Sequence, residues 1–584
     1  MAAPLRDNDS LLAIDVGEIT TRAVLFDVVA GQYRFLAVGT APTTAAAPYN
    51  HIGEGIHNAL DQLEEVTGKK LIGEDQRLIV PGQEDGSGVD TFVATMSAGP
   101  PLKVMAIGLL EDISLKSASR LATTTYARVV ETLGLNDRRK SEAQLDTILS
   151  QRPDAIILAG GTEGGASHSV LRLVETVGLA CSLLPKEARP QVLFAGNQAL
   201  IGEVQSGLRS LTNLHIAPNI RPSLDVEQLA PAQVKMAGIF RTLRARQVPG
   251  VSELDAWAGK QLFPTATAFG RIIQFLSNVY DPAKGVLGID IGASAMTVAA
   301  AFAGQLSLGV YPQLGLGRGL TGMLDAMSLN QITRWLPLEV GPDYVRDYIY
   351  NKMVHPATVP VSAEELAIEQ AIARQAIRKG IALASSDFPK TNSQARADLL
   401  PGFEPIVAAG SVLANAPSPG HSLLMLLDGL QPTSITTLVL DQNHLAAPLG
   451  AAAKINPILA VQVLESSTFL SLATVISPIS SARSGTPILR LRVTYESGDE
   501  TSFDVKQGTL EALPIPMGQS ARLHLHPLHR ADIGLGGPGR GGSVRVVGGA
   551  LGVVIDARGR PLHLPEDPGR RRDLFKRWIW TLGG

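Results

Sequence analysis

Two stretches of the chain share one pattern of apolar and polar positions. Leu11–Val16 and 286–291 are apolar runs that end in Asp-x-Gly, at Asp15-Val16-Gly17 and Asp290-Ile291-Gly292. Each is followed by a short polar turn and a second apolar run, which is typical of a buried β-hairpin. Glycine lets backbone N–H groups approach an anion, and aspartate can hold a hydrated divalent cation. Two such turns that face each other predict a nucleotide site between two lobes.

The same patterning divides the chain into three predicted regions. Residues 1–282 begin with an antiparallel meander and continue, over about 101–280, with strands and helices that alternate along the chain. Such alternation predicts an inserted parallel sheet. Residues 283–486 repeat the meander as a second lobe, and residues 487–584 predict a β-rich domain that ends in a helix. The fold class is therefore α/β.

Local signals predict where some of the helices lie. Residues 117–133 have the spacing of a helix. Ser141 is followed by Gln144 in the arrangement of a capping box, which predicts a helix that begins there. Ser362 and Glu365 form a second arrangement of this kind.

Two further loops follow predicted strands. Gly410-Ser411 comes after the strand 406–409, and a loop of such small residues lets a flat base lie against the backbone. The glycine-rich segment 160–165 lies between a strand and a helix. It lacks the Gly-Lys-Ser/Thr of a Walker A loop, so an anion site and a tight structural turn are both compatible with it.

Composition narrows the classes of function and location. The chain has 45% hydrophobic and 18% charged residues and a formal net charge of −3, so no overall charge attracts it to nucleic acid or to a membrane surface. Cys181 is its single cysteine, which excludes an intrachain disulfide and favours a reducing cytoplasm. No signal-type segment precedes the first strand, and Gly, Pro and polar residues break the long uncharged stretches. We therefore expect a cytoplasmic protein without a membrane span.

Three segments carry a resemblance to a known family. They are Pro153 to Gly165, with Leu-Ala-Gly-Gly-Thr-Glu-Gly-Gly at its end, Phe194-Ala195-Gly196-Asn197, and the hairpin of Asp290. Over roughly residues 10–460, the chain resembles the glutamate mutase L (MutL) family of the actin, Hsp70 and sugar-kinase ATPase superfamily. The resemblance implies a duplicated two-lobe actin-like (ribonuclease H-like) ATPase fold, here followed by an added all-β C-terminal domain.

The resemblance also implies a site for ATP and Mg²⁺ between the lobes. Asp15 and Asp290 would face each other as the catalytic pair and would hold Mg²⁺ through water. The residues expected to contact the phosphates are Gly17, Thr20 and Thr21 from the first turn and Gly292 and Ser294 from the second. Gly410 and Ser411 would border the adenosine.

The chain departs from the family pattern at both turns. Glu18 stands where a neutral or basic residue would better suit phosphate. Ala293 replaces a glycine, and Thr297 stands at a position that is acidic in the family. The missing carboxylate leaves open whether bound ATP is hydrolysed, so a weak ATPase and a site that binds without turnover are both compatible with the sequence.

Three functions stay open on the sequence. The resemblance implies an ATP-binding accessory, reactivating or chaperone-like factor for an adenosylcobalamin-dependent mutase, which would act by nucleotide-driven closure of the cleft. An ATP-dependent hydrolase or kinase of the same superfamily is one alternative, and a structural scaffold with a degenerate nucleotide site is another. The expected partner is a mutase subunit, no nucleic acid or membrane is expected to bind, and a homo-oligomer is compatible with the sequence.

Overall fold

The computed structural model describes residues 9–389 and 399–583. Residues 1–8, 390–398 and 584, which include the outer limits of the first and last predicted regions, lie outside the described residues. The strands are β1 Leu11–Val16, β2 Thr20–Val29, β3 Gln32–Pro42, β4 Thr91–Met96, β5 Leu102–Ile107, β6 Ala127–Leu133, β7 Ala155–Leu158, β8 Gln191–Phe194, β9 Leu214–Ile216, β10 Phe263–Pro264, β11 Gly285–Ile291, β12 Met296–Phe302, β13 Gln305–Tyr311, β14 Phe403–Ala409, β15 Ser434–Leu440, β16 Leu470–Ser477, β17 Pro487–Tyr495, β18 Glu500–Lys506, β19 Leu510–Leu513, β20 Ser520–Pro527, β21 Gly542–Val547 and β22 Val553–Asp556. The α-helices are α1 Gly53–Thr67, α2 Lys116–Ala122, α3 Ser141–Gln151, α4 His168–Leu183, α5 Ile201–Leu208, α6 Ala230–Gln247, α7 Val251–Trp257, α8 Thr265–Val279, α9 Leu320–Ala326, α10 Leu329–Thr333, α11 Pro342–Val354, α12 Ala363–Ala384, α13 Ser411–Ala414, α14 Pro419–Leu430, α15 Ala446–Ala452, α16 Pro457–Leu464 and α17 Pro568–Thr581.

A five-stranded sheet forms the first lobe. All six residues of β1 are buried, because this largely apolar strand lies inside the sheet and is covered on both faces. The strand order is β10-β4-β1-β2-β3. β2 is antiparallel to β1 and β3, whereas β4 is parallel to β1. The predicted meander is therefore present, and β4 pairs with β1 on the side opposite β2.

The second lobe repeats this order within a larger sheet. Its eight strands run β13-β12-β11-β14-β15-β16-β22-β19. β11 pairs antiparallel with β12 and parallel with β14, as β1 does with β2 and β4. β15 lies parallel to β14, where β10 lies parallel to β4 in the first lobe. This duplicated strand order confirms the predicted two-lobe ribonuclease H-like fold of the actin kind.

The inserted segment forms a third sheet, in the order β6-β5-β7-β8-β9. Its strands all pair parallel, as the alternation of strands and helices predicts. The helix predicted over 117–133 is wrong beyond its start, because α2 ends at Ala122 and β6 begins at Ala127. Pairing with β5 satisfies the backbone hydrogen-bonding groups of β6. The spacing of apolar residues along the chain carries no information about this long-range pairing.

The two predicted capping boxes have different outcomes. Ser362 is the N-cap of α12, and its hydroxyl accepts a hydrogen bond from Glu365 N at 3.2 Å. The Glu365 carboxylate accepts in turn from Val361 N at 2.9 Å, one residue before the cap. The box predicted at Ser141 does not form, because Lys140 is the N-cap and the serine is already inside α3.

Helices α8 and α15 lie between the lobes. Ala268 and Phe269 of α8 share one buried core with Leu449 of α15. The same core contains Val24 of the first sheet and Ala299 of the second. Because both lobes bury apolar surface against this pair of helices, packing defines the relative position of the two Asp-x-Gly turns.

The region after residue 486 contributes to two sheets. The strands β18-β17-β20-β21 form a separate antiparallel sheet, whereas β19 and β22 extend the sheet of the second lobe. Phe575 and Trp578 of α17 are buried in the core of that lobe, where Phe575 meets Trp335 with 6.1 Å between ring centroids. The predicted limits of the three regions stay predictions, since the last region and the second lobe share a core.

Buried ion pairs join this last region to the second lobe. Asp428 of α14 accepts hydrogen bonds from Arg374 Nε at 2.8 Å and from Arg558 Nη1 at 2.7 Å. Arg558 and Arg560 also donate to Asp556. Burial opposes ionisation of Asp556, but the two arginines prevail and its pKa lies well below the usual range. Removal of one partner from such a buried pair costs about 3 to 5 kcal/mol, so we expect this region and the second lobe to unfold together.

The sequence predicts no membrane span. Over the described residues, no helix has both the length and the apolar composition that a bilayer crossing requires.

Candidate functional site

The two Asp-x-Gly turns have the same backbone geometry. In the first, Gly17 N donates a hydrogen bond to Thr20 O at 3.0 Å. In the second, Gly292 N donates to Ala295 O, also at 3.0 Å. Each bond closes a turn between antiparallel strands, β1 and β2 in the first lobe and β11 and β12 in the second. The sequence repeat is thus also a structural repeat.

The strand register gives each aspartate a different residue across its hairpin. Asp15 lies opposite Arg22, whereas Asp290 lies opposite Thr297. Thr297 is buried and neutral. The turns are therefore alike in backbone and unlike in charge.

Asp15 is positioned by hydroxyl groups from outside its own hairpin. It is 8% exposed, and its Oδ1 accepts hydrogen bonds from Thr95 Oγ1 at 2.6 Å and Thr265 Oγ1 at 2.8 Å. Thr265 is the first residue of α8, so the helix between the lobes fixes this carboxylate. Burial raises the pKa of the Tyr126 hydroxyl, in the inserted segment, well above the usual value, and the charges of Asp290 and Asp15 raise it further. Tyr126 therefore lies near both turns.

Three carboxylates contribute to the electrostatics of the cleft, Asp15, Asp290 and Asp441. Burial, followed by the charges of Asp15 and Asp441, raises the pKa of Asp290 to about 7. Asp441 follows β15, and its two oxygens accept from Leu445 N at 2.9 Å and Ala446 N at 2.8 Å at the start of α15. Burial raises the pKa of Asp441 to about 6. The site therefore concentrates negative charge in a place where water solvates it poorly.

Arg22 supplies positive charge to all three carboxylates. Burial lowers its pKa, and the charges of Asp15, Asp290 and Asp441 act in the opposite direction. Its Nη2 lies 3.4 Å from the Ser411 hydroxyl, which extends the contact from the first lobe to the loop after β14. Arg22 is not among the site residues that the motifs predict. The available signal was register, since a short turn after Asp15 places Arg22 opposite it.

The carboxylates suit a hydrated divalent cation. Asp15, Asp290 and Asp441 outnumber the one arginine among them, so the cleft has an excess of negative charge when all are ionised. In the part of the chain that the structure describes, no group of three or more His, Cys, Asp or Glu side chains is arranged to ligate a metal ion. Mg²⁺ prefers oxygen ligands and usually keeps several of its waters. The residues present therefore fit Mg²⁺ bound through water.

The residues predicted to contact phosphate are not equally placed. Those that are half-buried at the turns are Gly17, Thr20, Gly292 and Ser294. Thr21 is fully buried instead, and its hydroxyl shares a 2.9 Å hydrogen bond with that of Thr43. Because successive side chains of a strand point to opposite faces, Thr21 lies behind the face that carries Arg22. The structure does not bring Thr21 together with the other predicted residues.

Gly410 and Ser411 lie beside the second turn. Gly410 has a φ of +117°, and a Cβ built on it would lie 2.3 Å from Ile291 O. Only glycine allows the backbone after β14 to approach the end of β11 this closely. Ser411 is exposed and begins α13. The role of this loop beside the adenosine stays a prediction.

Glu18 is the second charged residue of the first turn. Its Oε2 accepts a hydrogen bond from Gly99 N at 3.1 Å, and its Oε1 lies 3.4 Å from Arg318 Nε. Arg318 belongs to the second lobe, in the loop that leads into α9. The glutamate that the sequence marks as unfavourable for phosphate is therefore paired with a cation from across the cleft.

The glycine-rich segment 160–165 follows β7 and precedes α4. Its Glu163 carboxylate accepts hydrogen bonds from Asn219 Nδ2 at 2.8 Å and from Gln198 N at 3.3 Å. A carboxylate thus already occupies donors beside this loop. The contacts favour a structural turn over an anion site.

Comparison with known proteins identifies one family. The family described as MutL protein matches residues 11–468 of the chain. Protein MutL of Clostridium tetanomorphum is 23% identical over 405 residues, and the match covers 64% of this chain and 85% of that protein.

Solved structures with a similar arrangement are more distant. Acetone carboxylase, in its nucleotide-free structure, is 10% identical with a TM-score of 0.34 and covers 88% of this chain and 82% of its own. The ethanolamine utilization protein EutJ from Carboxydothermus hydrogenoformans is also 10% identical, with a TM-score of 0.26 and coverage of 77% and 91%. These TM-scores are too low to carry an argument about function.

Proposed function

The chain belongs to the MutL family, and from that premise we propose that it binds ATP with Mg²⁺ between its two turns. We further propose that the nucleotide controls an accessory or reactivating role toward an adenosylcobalamin-dependent mutase. The observation that carries the ATP proposal is the pair of equivalent turns, which bring Asp15 and Asp290 within electrostatic reach of each other. The mutase proposal rests on the family resemblance.

The proposed roles follow the positions of the side chains. Asp15 and Asp290 hold the hydrated Mg²⁺, whose charge offsets the excess negative charge of the cleft and of the phosphates. The groups that surround the phosphates are the two turns, with Gly17, Thr20, Gly292 and Ser294. Gly410 and Ser411 border the adenosine.

Arg22 supports the same proposal. The charges of Asp15, Asp290 and Asp441 all act on it, so its positive charge offsets part of their mutual repulsion in a poorly solvated place. Its contact with Ser411 also links the first turn to the proposed adenosine loop. We propose that Arg22 positions the first turn and neutralises phosphate charge.

Slow turnover is part of the proposal. Thr297 stands opposite Asp290 at the position that is acidic in the family, and a threonine cannot orient and deprotonate water as a carboxylate does. A protein that holds ATP for a long time is suited to act as a switch, in which cleft closure changes the surface that a mutase subunit contacts.

Equilibrium binding of a fluorescent ATP analogue tests the nucleotide proposal. We expect binding to the wild type in the presence of Mg²⁺, and a loss of about tenfold or more in the Asp15→Asn variant, because a charge that holds the cation is removed. Asp75→Asn is the matched control. Asp75 is exposed and away from the cleft, and its Oδ2 lies 3.9 Å from Arg77 Nε. An Asp15→Asn variant that binds like the wild type would remove the nucleotide proposal.

A capture experiment with a purified adenosylcobalamin-dependent mutase tests the partner. The expected result is that immobilised wild-type protein retains the mutase with a yield that depends on Mg²⁺ and ATP, whereas Asp15→Asn gives the same yield with and without ATP. Phosphate release measured on the same samples separates a switch from an efficient ATPase. Retention that ignores nucleotide would contradict the switch.

A further inference from the structure

An ion pair joins the tip of the first turn to the loop behind the second turn. Glu18 Oε1 lies 3.4 Å from Arg318 Nε, across the cleft between the lobes. Leu316 N, close to the arginine in sequence, donates to Gly292 O at 3.0 Å. Gly317 N donates to Ala293 O at 3.0 Å. Arg318 is therefore anchored to the second turn by backbone hydrogen bonds on one side and to the first turn by its side chain.

The two partners differ in freedom. The Glu18 side chain is only 12% exposed, and the backbone N–H of Gly99 holds its second oxygen at 3.1 Å. The Arg318 side chain is 60% exposed, and among the residues that the structure describes it forms an ion pair with Glu18 alone. An exposed guanidinium exchanges partners at little cost in free energy, whereas a hydrogen-bonded, largely buried carboxylate keeps its place. Glu18 is thus a fixed negative charge and Arg318 a movable positive one.

This arrangement opposes the ligand that the turns otherwise suit. A fixed carboxylate next to Gly17 and Thr20 repels the phosphate nearest to the turn tip. Arg318 relieves that repulsion only when it leaves Glu18 for the phosphate, so the gain from one contact is reduced by the loss of the other. A ligand with one phosphate fewer meets less of this opposition.

We propose that Glu18 and Arg318 set the preference of the cleft between nucleoside triphosphates and diphosphates, through the exchange of Arg318 between the Glu18 carboxylate and the terminal phosphate. The inference rests on the proposed nucleotide site. It assigns Glu18 the role of lowering affinity for the triphosphate relative to the diphosphate. It assigns Arg318 the role of recognising the terminal phosphate.

The test compares Kd values for ATP and ADP, both with Mg²⁺, by calorimetry on the full chain. We expect Glu18→Gln to raise the ratio of ATP to ADP affinity by about three- to tenfold, since the amide can still accept from Gly99 N–H but carries no charge. Arg318→Gln is expected to lower the same ratio by a similar factor, and Arg318→Lys to stay near the wild type. Circular dichroism on each variant confirms that it is folded.

Arg346→Gln is the matched control. Arg346 also forms an ion pair on the second lobe, 2.7 Å from Asp343, with a side chain 49% exposed. We expect it to leave the ratio unchanged. A Glu18→Gln variant that shifts ATP and ADP equally, or neither, would overturn the inference while leaving the nucleotide proposal intact. A wild-type protein that binds neither nucleotide would overturn both.

Discussion

The first and second turns of this protein share a backbone conformation but differ in the charges of their side chains. Gly17 and Gly292 close the two turns with hydrogen bonds of equal length. At the tip, however, the first turn has Glu18 where the second has Ala293, a neutral residue. Across the hairpin, the first has Arg22 where the second has Thr297. The repeat therefore preserves the backbone that presents an aspartate and N–H groups, while the two further charged residues of the hairpins, Glu18 and Arg22, both belong to the first lobe.

This asymmetry separates two tasks that equal turns would share. The second turn contributes Asp290 and otherwise neutral residues, an arrangement that suits a hydrated cation. The first turn contributes charges that are paired across the cleft, Arg22 with the three carboxylates and Glu18 with Arg318. We infer that the first turn governs which nucleotide binds and that the second completes the cation site.

Exchange of Arg22 for the residue of the second turn should have the largest effect. We expect Arg22→Thr to weaken binding of ATP with Mg²⁺ by about 30-fold, because a charged hydrogen-bonding group is lost from a poorly solvated site. Thr297→Val, the matched change on the second turn, is expected to stay within about twofold. Calorimetry on the two variants checks the comparison. Equal losses of ATP affinity would show that both turns contribute equally to nucleotide binding.

The pKa of Asp290 predicts a stability effect that depends on pH. Its folded pKa of about 7 lies above the usual aspartate value of 3.8, so the folded state binds more protons between these values. The wild type therefore loses stability as pH rises through this window. Asp290→Asn removes the ionisation, and its advantage over the wild type should grow by on the order of 2 kcal/mol from pH 5 to pH 8.

Urea unfolding at the two pH values measures this difference, in the absence of nucleotide and Mg²⁺. Asp504→Asn serves as the control, because Asp504 is a surface carboxylate paired with Arg490 far from the cleft. An Asp290→Asn variant with the same stability relative to wild type at both pH values would show that Asp290 is solvated normally.

Alanine at the two turn glycines should give the smallest of these effects. A Cβ at Gly17 would lie 2.7 Å from Thr20 O, whereas a Cβ at Gly292 would lie 3.4 Å from Ala295 O. We expect Gly17→Ala to cost about 1 to 2 kcal/mol of folding free energy and Gly292→Ala to stay within about 0.5 kcal/mol. Thermal or urea unfolding checks the order, and a reversed order would mean that the first turn is the more relaxed one.

The sequence predicts the elements that local contacts define better than those that depend on contacts between distant parts of the chain. The hairpins, the parallel inserted sheet and the duplicated lobes follow from local patterning, and the resemblance to the MutL family is confirmed by the match over residues 11–468. Apolar spacing alone predicts a helix where β6 lies, because the partner strand β5 is separated from β6 in the chain by α2. The strands β19 and β22 likewise gain their place from the second lobe.

The site shows the same limit. Asp15 and Asp290 could be chosen from their motif, since a repeated turn is visible in the sequence. Arg22 lies outside the motif and could be found only from the strand register, whereas Asp441 could not be found, because the packing of the two lobes around α8 and α15 brings it to Arg22. The pairing of Glu18 with Arg318 is another contact of this kind, and it turns an apparent defect of the motif into a balanced charge.

The proposed cation-dependent nucleotide site can be measured by calorimetric titration of the wild type with ATP, once with Mg²⁺ and once with the cation removed by EDTA. We expect one site per chain and a loss of affinity of about tenfold or more without Mg²⁺, because the cleft carries three carboxylates against Arg22. Binding of equal strength with and without the cation, or no binding at all, would contradict this proposal.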